Sequence, residues 1–188
     1  MSKIEQRLRE MGTLLPEPPK PVASYVPYTI TGKLVVISGQ IPLGAEGPRY
    51  VGKLGENISL DDGKAAAQLC AVNLLAQLKA ACGGNLDKAR RCLRLGVFVN
   101  ATQDFTQHPE VANGASDFIV QAMGDDGKHA RAAVGAPSLP RGVAVEVEGL
   151  DAVDGTPLLD IKPVWTGYLP RGEVRQPAWS LELMAHYW

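Results

Sequence analysis

The sequence predicts an α/β fold, a β-sheet with two helices on one face. Three observations carry that reading. Ala67, Ala71, Leu74 and Leu78 recur at helical spacing between Ser59 and the Gly83-Gly84 pair. Cys92–Val99 and Gly142–Gly149 alternate as half-buried strands do. The order of elements is hairpin, helix, strand, helix, strand, strand, which places helices between strands of one sheet.

The elements follow in order. Residues 2–11 suit a short helix with Ile4, Leu8 and Met11 on one side, stopped by LLPEPPKP. VASYVPYTI and LVVISGQIP read as a hairpin across Thr31-Gly32-Lys33. Gly44–Gly55 is a glycine-rich loop with room for a short edge strand at Arg49–Val51. The Ser59 hydroxyl caps the next helix, and Asp61 and Asp62 sit at its positive end. In the strand that follows, Leu93, Leu95, Val97 and Val99 share a face. Pro109 suits the first turn of a second long helix, with Val111, Ala115, Phe118 and Ala122 as its stripe and Gly124 as its stop. Two strands complete the sheet, His129–Gly135 and Gly142–Gly149.

In the last strand Val143, Val145 and Val147 point one way, and Glu146 and Glu148 the other. The valines belong beneath the helices. The opposite face has too few helices left to cover it and still carries apolar hairpin residues. Another subunit is the expected cover, which sets Glu146 near a subunit boundary.

The chain has 188 residues, enough for one domain with a short appendage. Hydrophobic residues make up 45% and charged residues 21%, and the net charge is -1. Such a balance argues against a polyanion partner, so a nucleic-acid role is not expected. No segment has the length and apolarity of a membrane span or a signal peptide, so a cytoplasmic location is expected. Cys70, Cys82 and Cys92 lie in apolar contexts and read as core side chains. His108, His129 and His186 are isolated, and no metal site is expected.

The segment HARAAVGAPSLPRGVAVEVE carries the most chemistry. Arg131 opens one strand and Glu146 lies in the next, and pairing of the two strands would bring them together. A guanidinium fixes a carboxylate by two parallel hydrogen bonds, and a nearby glutamate can take a proton from water. Spacing alone leaves two readings open, a salt bridge tying the strands and a catalytic pair. Ser38 lacks a G-x-S-x-G setting and an obvious histidine partner, which argues against a serine hydrolase at that position.

ISGQIP, GVFVNATQDF, Asn113, HARAAVG and LPRGVAVEVE, in this order and spacing, resemble the RidA/YjgF-like reactive imine/enamine deaminase family over about residues 20–150. The N-terminal helix and long glycine-rich loop resemble its longer branch. The resemblance implies a homotrimer with a chorismate-mutase-like mixed β-sheet and active sites in clefts between subunits. It implies hydrolysis of 2-imino or enamine acids, such as 2-aminoacrylate, to 2-keto acids and ammonia, without metal or organic cofactor. The alternative for the longer branch is a noncatalytic trimer that binds small carboxylates.

By the same resemblance, Arg131 matches the carboxylate-binding arginine and Glu146 the glutamate that positions water. Tyr25 matches a cleft aromatic, Ser38 and Gly39 the SGQ pocket motif, and Asn113 a helix asparagine at the cleft. Each of these four also admits a plain structural role, as interface aromatic, strand end or helix cap. Ala133 stands where many members have cysteine, so only its backbone carbonyl can act and no thiol mechanism operates there.

Beyond residue 150 the character changes. Trp165, Trp179 and Trp188 fall in this stretch, among Pro157, Pro163, Pro170 and Pro177. Its expected elements are a strand at Leu158–Ile161 and a helix at about Trp179–Tyr187. GLDAVDGTPLLDIKP resembles the C-terminal part of the TsaA/TrmO family of tRNA methyltransferases, over about residues 146–188. The expected organisation is therefore a RidA-like domain over 1–150, with 1–20 as its lead-in, and a non-native-looking C-terminal extension over 151–188. The barrel that would hold a methyl donor is missing, so this fragment is not expected to transfer methyl groups.

Overall fold

A computed structural model describes residues 2–18 and 24–152. Helix α1 covers Lys3–Glu10 and is closed by a capping box. Ser2 Oγ accepts from the Glu5 amide at 3.1 Å, and the Glu5 carboxylate accepts from the Ser2 amide at 3.0 Å. Strands β1 (Tyr28–Thr31) and β2 (Leu34–Gln40) form the expected hairpin. A two-residue ladder of β3 (Leu43–Gly44) and β4 (Gly47–Pro48) follows.

Helix α2 spans Leu60–Ala81, with Ser59 Oγ accepting from the Asp62 amide at 3.1 Å as its cap. Gly83 and Gly84 stop it in left-handed conformations, at φ 64° and 88°. Then come β5 (Arg91–Asn100), α3 (His108–Met123), β6 (Ala130–Ala136) and β7 (Val145–Ala152). The sheet order is β1-β2-β7-β5-β6, with β5 and β6 parallel and the other neighbours antiparallel.

The core lies between one face of this sheet and α2 and α3. Val35, Ile37, Leu95, Val97, Val99, Val145 and Val147 are buried there against Ala67, Cys70, Leu74, Val111, Ala115 and Phe118. The mixed sheet with two long helices on one face is as expected, and α1 packs beside α3 as a third helix. Cys82 and Cys92 are buried as well.

Several sequence expectations are corrected. β1 begins only at Tyr28, because Pro27 has no N–H for the ladder and its carbonyl instead accepts from the Ser38 amide at 3.0 Å. In β5 the face changes at an irregularity between Cys92 and Arg94. Cys92 and Leu95 are therefore both buried, while Leu93 is half-exposed. β7 starts three residues late because Arg141 and Gly142 turn in left-handed conformations, and it continues to Ala152, opposite Leu34 and Arg91. At the expected edge strand, only Val51 pairs, through a single bridge to Val143. Most consequentially, β6 and β7 do not pair, since β5 lies between them. The elements expected at Leu158–Ile161 and Trp179–Tyr187, and the tail resemblance with them, lie outside the described residues.

Helices α2 and α3 approach at Gly114, where an added Cβ would run into the Lys64 backbone carbonyl. Backbone cannot yield as a side-chain tip can. Gly114→Ala is expected to cost about 1–3 kcal/mol through overpacking. Thermal unfolding of the purified variant measures this, and an unchanged midpoint would mean that the helices part without cost.

Candidate functional site

The residues singled out in the sequence fall into two groups on opposite faces of the sheet. In the parallel ladder of β5 and β6, Arg131 lies opposite Leu95 and Ala133 opposite Val97. Leu95 and Val97 are buried beneath the helices, so Arg131 and Ala133 share the helical face. In the antiparallel ladder of β5 and β7, Glu146 lies opposite Phe98, and its neighbours Val145 and Val147 are buried under α2. Glu146 therefore points away from the helices. The sequence reading that strand pairing brings Arg131 and Glu146 together is corrected. One whole strand and the thickness of the sheet separate them within one chain.

The first group is built on α3 and β6. One terminal nitrogen of Arg131, Nη1, donates to Asn113 Oδ1 at 2.8 Å and to Ser116 Oγ at 3.0 Å. Asn113 and Ser116 are three residues apart on α3 and so share a helix face. Both Nη1 hydrogens are used by these bonds. The N–H groups of Nη2 and Nε remain unpaired among the described residues and form the edge that grips a carboxylate with two parallel bonds. The guanidinium is exposed, so a ligand can reach it. Ala133 packs on the core two residues along the same strand face.

The sequence missed two members of this group, Ser116 and His129. His129 Nε2 lies 3.0 Å from Ser116 Oγ, and its Nδ1 lies 2.6 Å from the Gly127 carbonyl oxygen. His129 is thus not isolated. The signals were periodic: Ser116 is three residues from Asn113 on a helix, and His129 two from Arg131 along an extended segment.

The second group is built on β2 and β7. The register between these strands shifts between Ile37 and Gln40, so Ser38 and Gly39 occupy an irregular step. Gly39 sits against Glu146, and a Cβ there would overlap the glutamate carboxylate. A similar relation holds on the other side of β7, where a Cβ on Gly96 would lie 2.6 Å from Glu148 Oε1. Two glycines thus clear the space into which two carboxylates turn. Ser38 Oγ donates to the Val26 carbonyl at 2.7 Å and ties down the segment that carries Tyr25. Tyr25 itself is 53% exposed.

The electrostatics of the two carboxylates differ. Glu148 has Arg94 within 3.5 Å. Glu146 has no cationic partner among the described residues. Burial, and then the neighbouring Glu148 charge, push its pKa above the ordinary glutamate value. Such a carboxylate is a better proton acceptor than an exposed one. Apolar side chains surround the pair on this face: Val36 and Val134 are exposed, and Phe98 is half-buried. Among the described residues no group of three His, Cys, Asp or Glu side chains could hold a metal ion. No described helix is long and apolar enough to cross a membrane.

Comparison with known proteins bears on the fold. Protein TCP17 of Trypanosoma cruzi is 41% identical over 149 residues, covering 79% of this chain and 92% of that protein. A protein of unknown function from Agrobacterium tumefaciens has a crystal structure at TM-score 0.76 and 43% identity, covering 81% of this chain and 94% of its own. RidA from an Antarctic Psychrobacter superposes at TM-score 0.52 with 27% identity, covering 73% and 94%. The family model described as "YjgF/chorismate_mutase-like, putative endoribonuclease" matches residues 5–148. The chain belongs to this YjgF/RidA-like family and has its mixed α/β, chorismate-mutase-like fold.

Proposed function

We propose that the protein hydrolyses reactive 2-imino and enamine acids, such as 2-aminoacrylate, to 2-keto acids and ammonia. The reaction takes place in clefts between subunits of a homotrimer in the cytosol. The observation that carries this reading is the division of the site. One chain carries the Arg131 guanidinium on the helical face of an edge strand, and the Glu146 carboxylate on the uncovered face of the central strand. Neither half suffices alone. Exposed Val36 and Val134, on the same sheet face as Glu146, give that face apolar surface for a second copy to cover.

In such a cleft Arg131 of one copy binds the substrate carboxylate through Nη2 and Nε. Tyr25, Ser38 and Gly39 of the other line the space beside its Glu146. Asn113 steadies the arginine. An enamine first takes a proton from solvent at its terminal carbon and becomes the iminium ion. Water then adds to the electrophilic C2 carbon while Glu146 takes one of its protons. The protonated Glu146 returns its proton to the carbinolamine nitrogen, the C–N bond breaks as the C2 hydroxyl becomes the carbonyl, and the hydroxyl proton leaves with the ammonia as ammonium. The enzyme supplies position and a base, and the imine supplies its own reactivity. No residue of the tail enters this scheme.

Pyruvate formation from freshly generated 2-aminoacrylate is expected above the buffer rate. It is expected to fall at least about tenfold in Arg131→Ala, since a charge-assisted pair is worth ~1.5–3 kcal/mol. Saturable keto-acid binding without turnover would instead support a binding trimer.

The divided site makes a sharper prediction. Arg131→Ala and Glu146→Gln chains, each strongly impaired alone, should regain activity when refolded together. With random mixing, about a quarter of clefts pair an intact arginine with an intact glutamate. If the mixture stays inactive, a site shared between two chains is excluded.

A third expectation follows from Glu146. Its raised pKa means that the folded chain holds the proton more tightly than the unfolded one. The stability tied to that proton is complete below the unfolded value of 4.5 and is lost as pH rises through the raised value. In an Arg131→Ala background, where no second copy supplies a counter-charge, Glu146→Gln should therefore gain thermal stability above that window and none below it, as melting curves across pH would show.

A further inference from the structure

We propose that Ser116 and His129 are positioning residues that hold the Arg131 guanidinium through a directed hydrogen-bond relay. The inference rests on the reading of Arg131 as the carboxylate clamp. The relay follows from a count of protons. The Gly127 carbonyl can only accept, and His129 Nδ1 lies 2.6 Å from it, so Nδ1 carries the imidazole proton. In the neutral ring Nε2 is then an acceptor. Ser116 Oγ, 3.0 Å away, gives its single proton to that nitrogen. The serine oxygen is left to accept, and Arg131 Nη1 donates to it at 3.0 Å. The other Nη1 hydrogen goes to Asn113 Oδ1 at 2.8 Å.

Every proton in this chain has one place to go, so the serine cannot turn its donor toward the arginine. The far end is rigid as well. Gly127 is buried against α3, where a Cβ on it would lie 2.6 Å from the Ile119 carbonyl oxygen. The carbonyl that fixes the histidine tautomer is thus set by the backbone of the same helix that carries Asn113 and Ser116. The consequence is orientation. Nη1 is occupied on both hydrogens, and the edge formed by Nη2 and Nε faces outward as the carboxylate-binding edge. An exposed arginine without this support samples many rotamers, and the entropy of fixing it would weaken the clamp.

Two measurements on the full chain test the proposal. Long-range proton–nitrogen correlation spectra of the histidine side chains, recorded well above the histidine titration range, report the tautomer, with His129 assigned by its disappearance in His129→Gln. The Nδ1–H form is expected, and an Nε2–H form would overturn the relay. The second is pyruvate affinity by calorimetry. Ser116→Ala and His129→Phe should weaken binding by roughly 2- to 10-fold, the range of one net hydrogen bond. His129→Gln, whose amide oxygen can still accept from Ser116, should keep most of it. In turnover of 2-aminoacrylate the loss in the first two variants should fall more on KM than on kcat. Pyruvate affinity lost in Arg131→Ala but unchanged in Ser116→Ala and His129→Phe would sink the relay alone. Affinity unchanged in Arg131→Ala would sink the clamp reading itself.

Discussion

The alternation of β7 governs where everything else in the site can stand. This strand is hydrogen-bonded on both sides, to β2 and to β5. Val145 and Val147 are completely buried under the helices. A shift of one residue would expose both valines and bury Glu146 and Glu148 in the core. Fully burying a valine is worth about 1.5–3 kcal/mol, and burying an unpaired carboxylate costs several more. The register is therefore fixed, and with it the placement of two carboxylates on the face away from the helices. Gly39 and Gly96 complete the arrangement, because a side chain at either position would compete for the space the carboxylates occupy.

The same logic fixes Arg131 on the other face. β6 follows α3 and pairs in parallel with β5, so its residues opposite Leu95 and Val97 turn toward the helices. At the interior of the sheet such positions are apolar. At an edge strand the helix covers only part of the residue, and a long cation can lie along α3 with its head in solvent. Asn113 and Ser116 meet it there. The charge is held by neutral hydrogen-bonding partners and not by a carboxylate, which leaves its electrostatic attraction available to an anionic ligand. An Arg131–Glu146 salt bridge within the chain would have consumed that attraction.

Much of this was legible in the sequence. The capping serine at 59, the helical stripe of Ala67 to Leu78 and the proline at the start of α3 are local signals, and each helix formed where its signal lay, while the valine alternation marked β7 with its bounds shifted by three residues. What the sequence hid was non-local. Arg131 and Glu146 stand in consecutive strands joined by a short turn, the usual mark of a hairpin, yet β5 separates them. Nothing in residues 129–152 announces an intervening strand from forty residues earlier. The exposure of Leu93 was hidden for a smaller reason, since an irregularity in the ladder shifts the strand's face without changing its composition. His129 was passed over because its partner Ser116 lies on α3, and the packing of that helix beside the start of β6 is a tertiary contact with no local signal.

The separation of the two half-sites also explains the state of Glu146. Within one chain it is half-buried, close to a second carboxylate and without an ion-pair partner among the described residues, which is an unfavourable position for a charge. Glu148, two residues away, has Arg94 beside it, so the fold can supply a cation on this face where stability alone is served. In the proposed cleft, Arg131 from a second copy would approach Glu146 from the uncovered side. Its charge would favour the ionised carboxylate, opposing the effect of burial. Before substrate arrives, the two groups would then be each other's nearest counter-charge. A substrate carboxylate entering between them would claim the arginine and return Glu146 toward its raised pKa, restoring its strength as a proton acceptor when there is an imine to hydrate. The unfavourable charge in the single chain is, on this reading, the basicity that the reaction uses.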